Sequence, residues 1–288
     1  MKDLSIIIVN YNAGNLLKEC IESVKNSALN ISYEIIVIDN NSSDNSIDLI
    51  RNRFENLKII MNKMNVGFAR ASNQGINGSK GRYILLLNPD TVILPDCLKK
   101  MVRFMEDHPE GGVAGCKVLN PNGTLQLACR RSFPAPSVSF YRLSGLSRLF
   151  PKSKTFARYN LTYQNPDVVQ EVDAVSGSFM MIIRKALDEV GMLDERFFMY
   201  GEELDLCFRV KEKGWKVYYV PDARIIHYKG KSSQQRKRKA VIDFHKAMYI
   251  FHKKHYAGNT FFLLNWLIIL GITLRAGLFL ALSLFKKG

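Results

Sequence analysis

The sequence is poor in the features that assign a function at a glance. Its five cysteines (Cys20, Cys97, Cys116, Cys129, Cys207) are odd in number and scattered, with no CxxC pair. That pattern suggests neither a zinc site nor a disulfide framework and fits a reducing cytoplasm. No GxGxxG follows the first apolar run and no GxxxxGK[ST] occurs anywhere, which argues against a nucleotide-dependent oxidoreductase and a P-loop phosphotransferase. There is no helix-turn-helix, zinc-finger or RNA-binding signature, so nucleic acid is not the expected partner. The opening stretch, MKDLSIIIVNYN, has too short an apolar run for a signal-peptide core and no small-residue cleavage site, and reads as a first strand. Internal repeats and low-complexity tracts are absent too.

What is present is charge of one sign and a regular alternation. Lys and Arg number 41 against 26 Asp and Glu in 288 residues, a formal charge of +15, which points to an anionic partner such as a membrane surface or a phosphorylated small molecule. At 47% hydrophobic and 23% charged residues the chain suits one large domain or a domain with an appendage. In its first half, β-branched runs alternate with amphipathic stretches: LSIIIVN with NLLKECIESVKNS, YEIIVIDN with SIDLIRNRF, LKIIMN with GFARASNQGING, YILLLNPD with PDCLKKMVRFMEDH. Strands apolar along their whole length and separated by helices predict an α/β fold with a mostly parallel sheet covered on both faces. Ligands of such sheets bind beyond the carboxyl ends of the strands. Three of those ends carry polar clusters: Asn10-Tyr11-Asn12, Asp39 to Asp44, and Asn88-Pro89-Asp90.

The alternation fades between about residues 130 and 160, where RRSFPAPSVSFYRLSGLSRLFPKSKTFARY carries seven Lys and Arg and no acid; it reads as a long functional loop or helical insert. The pattern resumes with VDAVSGSFMMIIRKAL, GMLDERFFMYGEELDLCFRVKEKGW, and two strands, KVYYVP and ARIIHY. A basic helix follows, then an apolar segment, Phe261 to Phe285, about 37 Å long as a helix and so able to cross a hydrocarbon core of about 30 Å. Arg275 near its middle argues against a simple span. Asn265, Thr273, Arg275 and Ser283 share one half of the helical wheel, which also suits a helix lying in the interface. The length exceeds most core helices, so membrane attachment is expected in one form or the other. Lysines flank both ends (Lys253, Lys254, Lys286, Lys287) and fix no orientation.

Each polar cluster has a structural and a chemical reading. Ser, Asn and Asp in DNNSSDNS cap helices and make turns; equally, Asp39 at a strand end can accept hydrogen bonds from a nucleotide's base or ribose. In Asn88-Pro89-Asp90 the proline stops the strand and forces extended geometry on Asn88, so both flanking side chains project off the edge. Asp90 is a hard oxygen ligand of the kind Mg²⁺ or Mn²⁺ prefers, against the simpler reading of a turn. His227, after a late strand, is a second ligand candidate or a satisfied structural histidine. Glu202-Glu203-Leu204-Asp205 opens a helix, where acids are favoured, and Asp205 with Arg209 forms an i,i+4 pair. The aromatics from Phe197 to Tyr200 would desolvate one of these carboxylates and raise its pKa towards that of a useful base.

Taken in order, VNYN, DNNSSD, NxGFARASNQGI, LLLNPDT, AVSGSFMMIIRK, FFMYGEELDLCFR and HYKGKSS resemble the inverting, family-two glycosyltransferases of the GT-A fold, and most of all bacterial rhamnosyltransferases that build cell-surface polysaccharides. The resemblance covers about residues 4 to 233. It implies a catalytic domain over 1–233, which leaves 234–288 as the basic helix and the apolar segment at 261–285, expected at the membrane by its length. Asn10, Tyr11 and Asp39 would hold the nucleoside, with Asp44 assisting or capping the next helix; Gly67 and Asn73 would lie near the sugar-diphosphate path. Asp90 stands at the second acid of the family's D-x-D and would bind Mg²⁺ or Mn²⁺ with His227, while Asn88 replaces the first acid. Glu203 stands where relatives commonly have the aspartate of an E-D pair, which makes it the expected base and leaves Glu202 as the competing assignment. Asp173, Gly177 and Ser178 would border the acceptor or sugar pocket.

The implied reaction is inverting transfer of a sugar, with dTDP-rhamnose favoured as donor over a UDP-hexose, to a lipid-diphosphate-linked or polysaccharide acceptor at the cytoplasmic face of the membrane. A non-catalytic basic membrane-bound scaffold is the alternative. The basic insert would attract a lipid headgroup, so alanine at Arg130, Arg131 and Arg142 would weaken use of a lipid-linked acceptor more than donor hydrolysis.

Overall fold

The computed structural model describes residues 3–28, 31–51, 53–228 and 237–285. In chain order the elements are β1 (Leu4–Asn10), α1 (Asn15–Ser27), β2 (Tyr33–Asp39), α2 (Ser46–Arg51), β3 (Lys58–Met61), α3 (Phe68–Asn77), β4 (Tyr83–Leu87), β5 (Thr91–Ile93), α4 (Cys97–Asp107) and β6 (Gly111–Leu119). Then follow β7 (Arg130–Arg131), α5 (Pro136–Leu143), α6 (Leu146–Leu149), β8 (Gln170–Glu171), β9 (Ala174–Val175), β10 (Phe179–Ile183), α7 (Arg184–Val190), α8 (Glu202–Glu212), β11 (Lys216–His227), α9 (Lys237–His255) and α10 (Phe262–Phe285).

The main sheet has nine strands, running β3-β2-β1-β4-β10-β6-β11-β5 with β8 beside β11. The first four are parallel, as their uniformly apolar sequences predict: every residue of β1 and β4 is buried. The sheet is mixed beyond them. β10 runs antiparallel to both β4 and β6, and β5 and β8 run antiparallel to β11. The stretches KVYYVP and ARIIHY are not two strands but one, β11, whose register against β6 slips between Val220 and Arg224. Pro221 cannot donate to the ladder, and a bulge at this point absorbs it without ending the strand.

Parallel register aligns the carboxyl ends of β1, β2 and β4, pairing Asn10 with Asp39 and Ile8 with Leu87. After β4 the Asn88-Pro89-Asp90 turn reverses the chain, with Thr91 Oγ1 donating to Asn88 O at 2.7 Å. β5 then pairs with the far end of β11, His227 opposite Thr91. This register, together with the Tyr228 N–H donating to Asp90 O at 2.9 Å, brings His227 beside Asp90 although 137 positions separate them in sequence.

The 130–160 segment is a folded insert. Arg130 and Arg131 form β7, paired with β9, and both are buried. Arg130 donates to Gln164 O at 2.9 Å and Asn165 O at 3.3 Å, satisfying carbonyls that would otherwise be orphaned. The three insert arginines do not form one exposed patch: of the three, Arg142 on α5 alone is exposed. Two residues of the polar side of α10 turn inwards, while Thr273 is exposed. Asn265 meets His252 and Arg275 meets His245, each at 2.8 Å, so this side packs on α9. The opposite face, with Trp266, Leu270, Leu274 and Leu278, is exposed.

Candidate active site

The carboxyl edge of the parallel strands is a dense polar lattice. Asn10 Nδ2 donates to Asp39 Oδ1 and Ser46 Oγ, each at 2.8 Å, and the Ser42 N–H donates to Asp39 Oδ2 at 3.0 Å. Both Asn10 and Asp39 are buried, and Asn10 Oδ1 has no partner among the described residues. Asp44 accepts from the Gly14 N–H at 2.8 Å and from the Ser46 N–H at 3.1 Å, so it ties the start of α2 to the β1–α1 turn, the capping role of the two considered for it.

Next to this lattice lies a cavity of about 250 Å³ lined by Tyr11, Asn40, Gly67, Asn88, Asp90 and His227. Gly67 has φ 90°, and a Cβ there would come 2.6 Å from Phe198 O. Only glycine lets the turn into α3 lie against the 198 loop, where the Phe68 N–H donates to Phe198 O at 2.7 Å. Asn73 is displaced from the cavity: it exchanges hydrogen bonds with the backbone of Leu193, at 2.9 and 3.1 Å, and anchors the 193–195 turn.

Asp90 Oδ1 stands 3.2 Å from His227 Nε2, and the surroundings fix which imidazole nitrogen bears the proton. Gln126 Nε2 donates to His227 O at 2.8 Å, which turns Gln126 Oε1 towards His227 Nδ1 at 3.0 Å. Nδ1 is then the donor to Gln126. Nε2 faces the Asp90 carboxylate, with Asn88 Nδ2 at 3.4 Å from the same nitrogen. A hard carboxylate oxygen and an imidazole nitrogen converging beside a cavity are a donor set that suits Mg²⁺ or Mn²⁺ with ligand oxygens completing the shell. Among the described residues no cluster of three or more His, Cys, Asp or Glu side chains forms a closed metal cage. The rest of the H-x-x-G-x-S stretch, Gly230 and Ser232, lies outside the described residues.

A second cavity, about 530 Å³, adjoins the first. Asn88, His227, Met199 and Tyr200 line both, and Gly177, Ser178, Glu202 and Glu203 line the second. Asp90 and Glu203 thus border neighbouring halves of one depression. Tyr200 and Gly201 both have positive φ, 72° and 85°, a costly conformation for tyrosine that turns the chain sharply into α8. The Gly201 N–H donates to Glu203 Oε2 at 2.9 Å, and Arg131 Nη2 donates to Glu203 Oε1 at 2.8 Å. Gly177 lies against this residue, its would-be Cβ 3.6 Å from Glu203 Cβ. Ser178 O accepts from the Asn88 N–H at 3.1 Å, linking the two cavities through the backbone.

The aromatic run was expected to desolvate one carboxylate of α8, and that carboxylate is Glu202. It is buried with Oε2 unpartnered; burial first, then the like charge of Glu203, pushes its pKa well above the usual carboxylate range. Burial works against the charge on Arg131, but the Glu203 carboxylate more than offsets it and holds the guanidinium protonated. Asp205, fully buried, accepts from Arg209 at 2.9 Å and meets Lys254 at 2.6 Å and His255 at 2.7 Å, clamping α8 to α9. Asp173 lines neither cavity. It accepts from Lys211 Nζ at 2.9 Å and from the Phe133 N–H at 3.1 Å, a brace between the insert and α8.

Sequence reasoning passed over Asn40, Gln126, Tyr200 and the role of Arg131. The spacing of Arg131 and Glu203, 72 positions apart, carries no local signal; Tyr200 before Gly201 at a helix start was the one visible hint.

Comparison with known proteins follows this geometry. The family description "Glycosyl transferase family 2" matches residues 5–191. The chain is 26% identical over 296 residues to N-acetylglucosaminyl-diphospho-decaprenol L-rhamnosyltransferase of Mycobacterium tuberculosis, covering 99% of this chain and 95% of that one. It is 29% identical over 234 residues to Rhamnosyltransferase WbbL of Escherichia coli K12, covering 77% of this chain and 82% of that one. Among solved structures it superposes on GalNAc-T7, crystallised with UDP, GalNAc and Mn²⁺, with a TM-score of 0.56 at 17% identity over 79% of this chain and 44% of that chain; the shared feature is the GT-A type of fold. With a family match over most of its length, the chain belongs to glycosyl transferase family 2 and is a glycosyltransferase resembling the rhamnosyltransferases among its relatives.

Proposed function

We propose that this glycosyltransferase moves a sugar, rhamnose from dTDP-rhamnose in the favoured reading, onto a lipid-diphosphate-linked acceptor in cell-surface glycan synthesis, with inversion at the anomeric carbon. The observation that carries this is the adjacency of the Asp90–His227 pair to Glu203 across Asn88 and Tyr200. The 1–233 segment is the catalytic domain, and the nucleoside rests against Tyr11 and Asn40 above the Asn10–Asp39 lattice. Asp90 and His227 would hold Mg²⁺ or Mn²⁺, which supplies positive charge to the departing diphosphate.

Glu203 is the base of this reaction. Its carboxylate is fixed by Arg131 and the Gly201 N–H, and it accepts the acceptor hydroxyl proton as that oxygen bonds to the anomeric carbon and the bond to the nucleoside diphosphate breaks. Glu202, buried with a raised pKa, is better suited to stay protonated beside it. The segment Phe262–Ser283, 22 residues of mean hydropathy 1.9, rests its exposed face in the cytoplasmic leaflet with α9 bound to its other side, an interfacial posture and not a free span.

Incubation of the purified protein with a panel of nucleotide sugars and Mg²⁺ or Mn²⁺ tests the reading. Release of thymidine diphosphate from dTDP-rhamnose is expected; release of uridine diphosphate alone moves the donor to a UDP-hexose, and release from none defeats the proposal.

A further inference from the structure

Arg275 is the only charged residue of α10, and it points back into the protein. Its Nη1 lies 2.8 Å from His245 Nε2 and its guanidinium sits 4.6 Å from the Phe279 ring centre. His245 Nδ1 is 2.7 Å from Val241 O, so that nitrogen donates and Nε2 accepts from Arg275. Arg142 of α5 borders the same cavity, donating to Asn160 Oδ1 at 3.0 Å and covering the Tyr159 ring at 4.2 Å. Among the described residues both arginines have only neutral partners, although Glu202 and Glu203 line the same space. On the far side of Glu203 runs a groove of about 660 Å³ walled mostly by apolar residues, among them Pro136, Phe140, Phe251, Leu267, Ile268 and Gly271, and reaching α10.

We propose that Arg142, His245 and Arg275 bind the diphosphate of an acceptor esterified to a long hydrocarbon chain, and that the first part of that chain lies in the groove along α10. This rests on reading Glu203 as the acceptor-side base. Guanidinium forks match phosphate oxygens, and their interaction strengthens where apolar walls exclude water. The donor's diphosphate is a poorer occupant, because no residue of α10 or α5 lines the Asp90–His227 cavity. An acceptor held this way spans the cluster and the groove with Glu203 bordering both, so its sugar hydroxyl is delivered to the base.

Calorimetry on the full chain in detergent, with farnesyl diphosphate, farnesol and thymidine diphosphate as probes, tests the site. Arg275→Gln should weaken farnesyl diphosphate by about tenfold or more, the loss of a charged hydrogen bond, with farnesol and thymidine diphosphate held within about twofold; Arg275→Lys should recover part of the difference. Gly271→Leu, at a position where a Cβ meets nothing within 4 Å, should weaken both farnesyl ligands by filling the groove. Arg142→Gln on the exposed surface of α5 repeats the charge test should Arg275→Gln fail to fold. Unchanged farnesyl diphosphate binding in both arginine variants, or an equal loss of thymidine diphosphate, overturns the assignment. Nucleotide-sugar turnover is scored separately, so a failed donor reaction defeats the proposed transfer while these binding ratios still decide the cluster.

Discussion

The two sides of the depression are built on opposite plans. On the side of β1, β2 and α2, polar residues are neutral or acidic and spend their hydrogen bonds on one another: Asn10, Asp39, Ser42 and Ser46 form one lattice, and Asp44 secures Gly14. On the side of α5, α8 and α10, two charged groups, Arg142 and Arg275, lack a counterpart of opposite sign among the described residues, and Glu202 Oε2 is unpartnered. A lattice saturated but for Asn10 Oδ1 holds a fixed shape; uncompensated charge marks where chemistry and charged ligands are handled.

This contrast can be broken by substitution. Glu203→Gln keeps the shape and removes the proton acceptor, so sugar transfer should fall by about 10²- to 10⁴-fold, and Glu202→Gln should cost much less; steady-state rates on the same acceptor compare them, and the reverse order reassigns the base. Asp205→Asn strips one partner from a buried charge network and should destabilise the fold by about 3–5 kcal/mol, read as a shift in the denaturant midpoint.

The same network predicts an acid limb. The Arg196 hydrogen bond, with Lys254, holds Asp194 well below the usual carboxylate range, and for Asp205 the hydrogen bonds of His255 and Lys254 with Arg209's charge outweigh burial to the same effect. A lowered folded pKa contributes stability that is complete above the unfolded value of about 3.9 and is lost as pH falls through the folded value. Thermal midpoints should therefore drop below about pH 4, and less steeply in Asp205→Asn; equal slopes would remove these carboxylates as the cause. Arg130→Ala should cost about 1–3 kcal/mol through its stranded carbonyls without selectivity for lipid-linked acceptors. The smallest effect belongs to the saturated side: Asp44→Ala should cost about 1 kcal/mol, the loss of a helix cap, and leave donor affinity near that of the parent chain by calorimetry.

Legibility in the sequence divided along the same line. The apolar runs of β1, β2 and β4 announced a parallel sheet, and the polar residues at their ends marked its ligand edge, because both signals are local. Which partners a given polar residue takes was not legible: those of Asp44, Asn73 and Asp173, namely Gly14, Leu193 and Lys211, lie 30 or more positions away. Arg130 and Arg131 read as a surface patch because burial in a short strand pair depends on β9, more than 40 positions on. His227 was legible only as a histidine after a strand; its tautomer depends on Gln126, 101 residues away.

The pairing of β11 with β5 and β6 has a consequence for how the molecule comes into being. Synthesis runs from the amino terminus, so Asp90 emerges long before the strand that ends in His227, and the sheet stays unfinished until that strand slots between β6 and β5. Contacts so distant in sequence form late. A nascent chain interrupted before that insertion carries the aspartate without its histidine, and the last strand to arrive is the one that completes the pair.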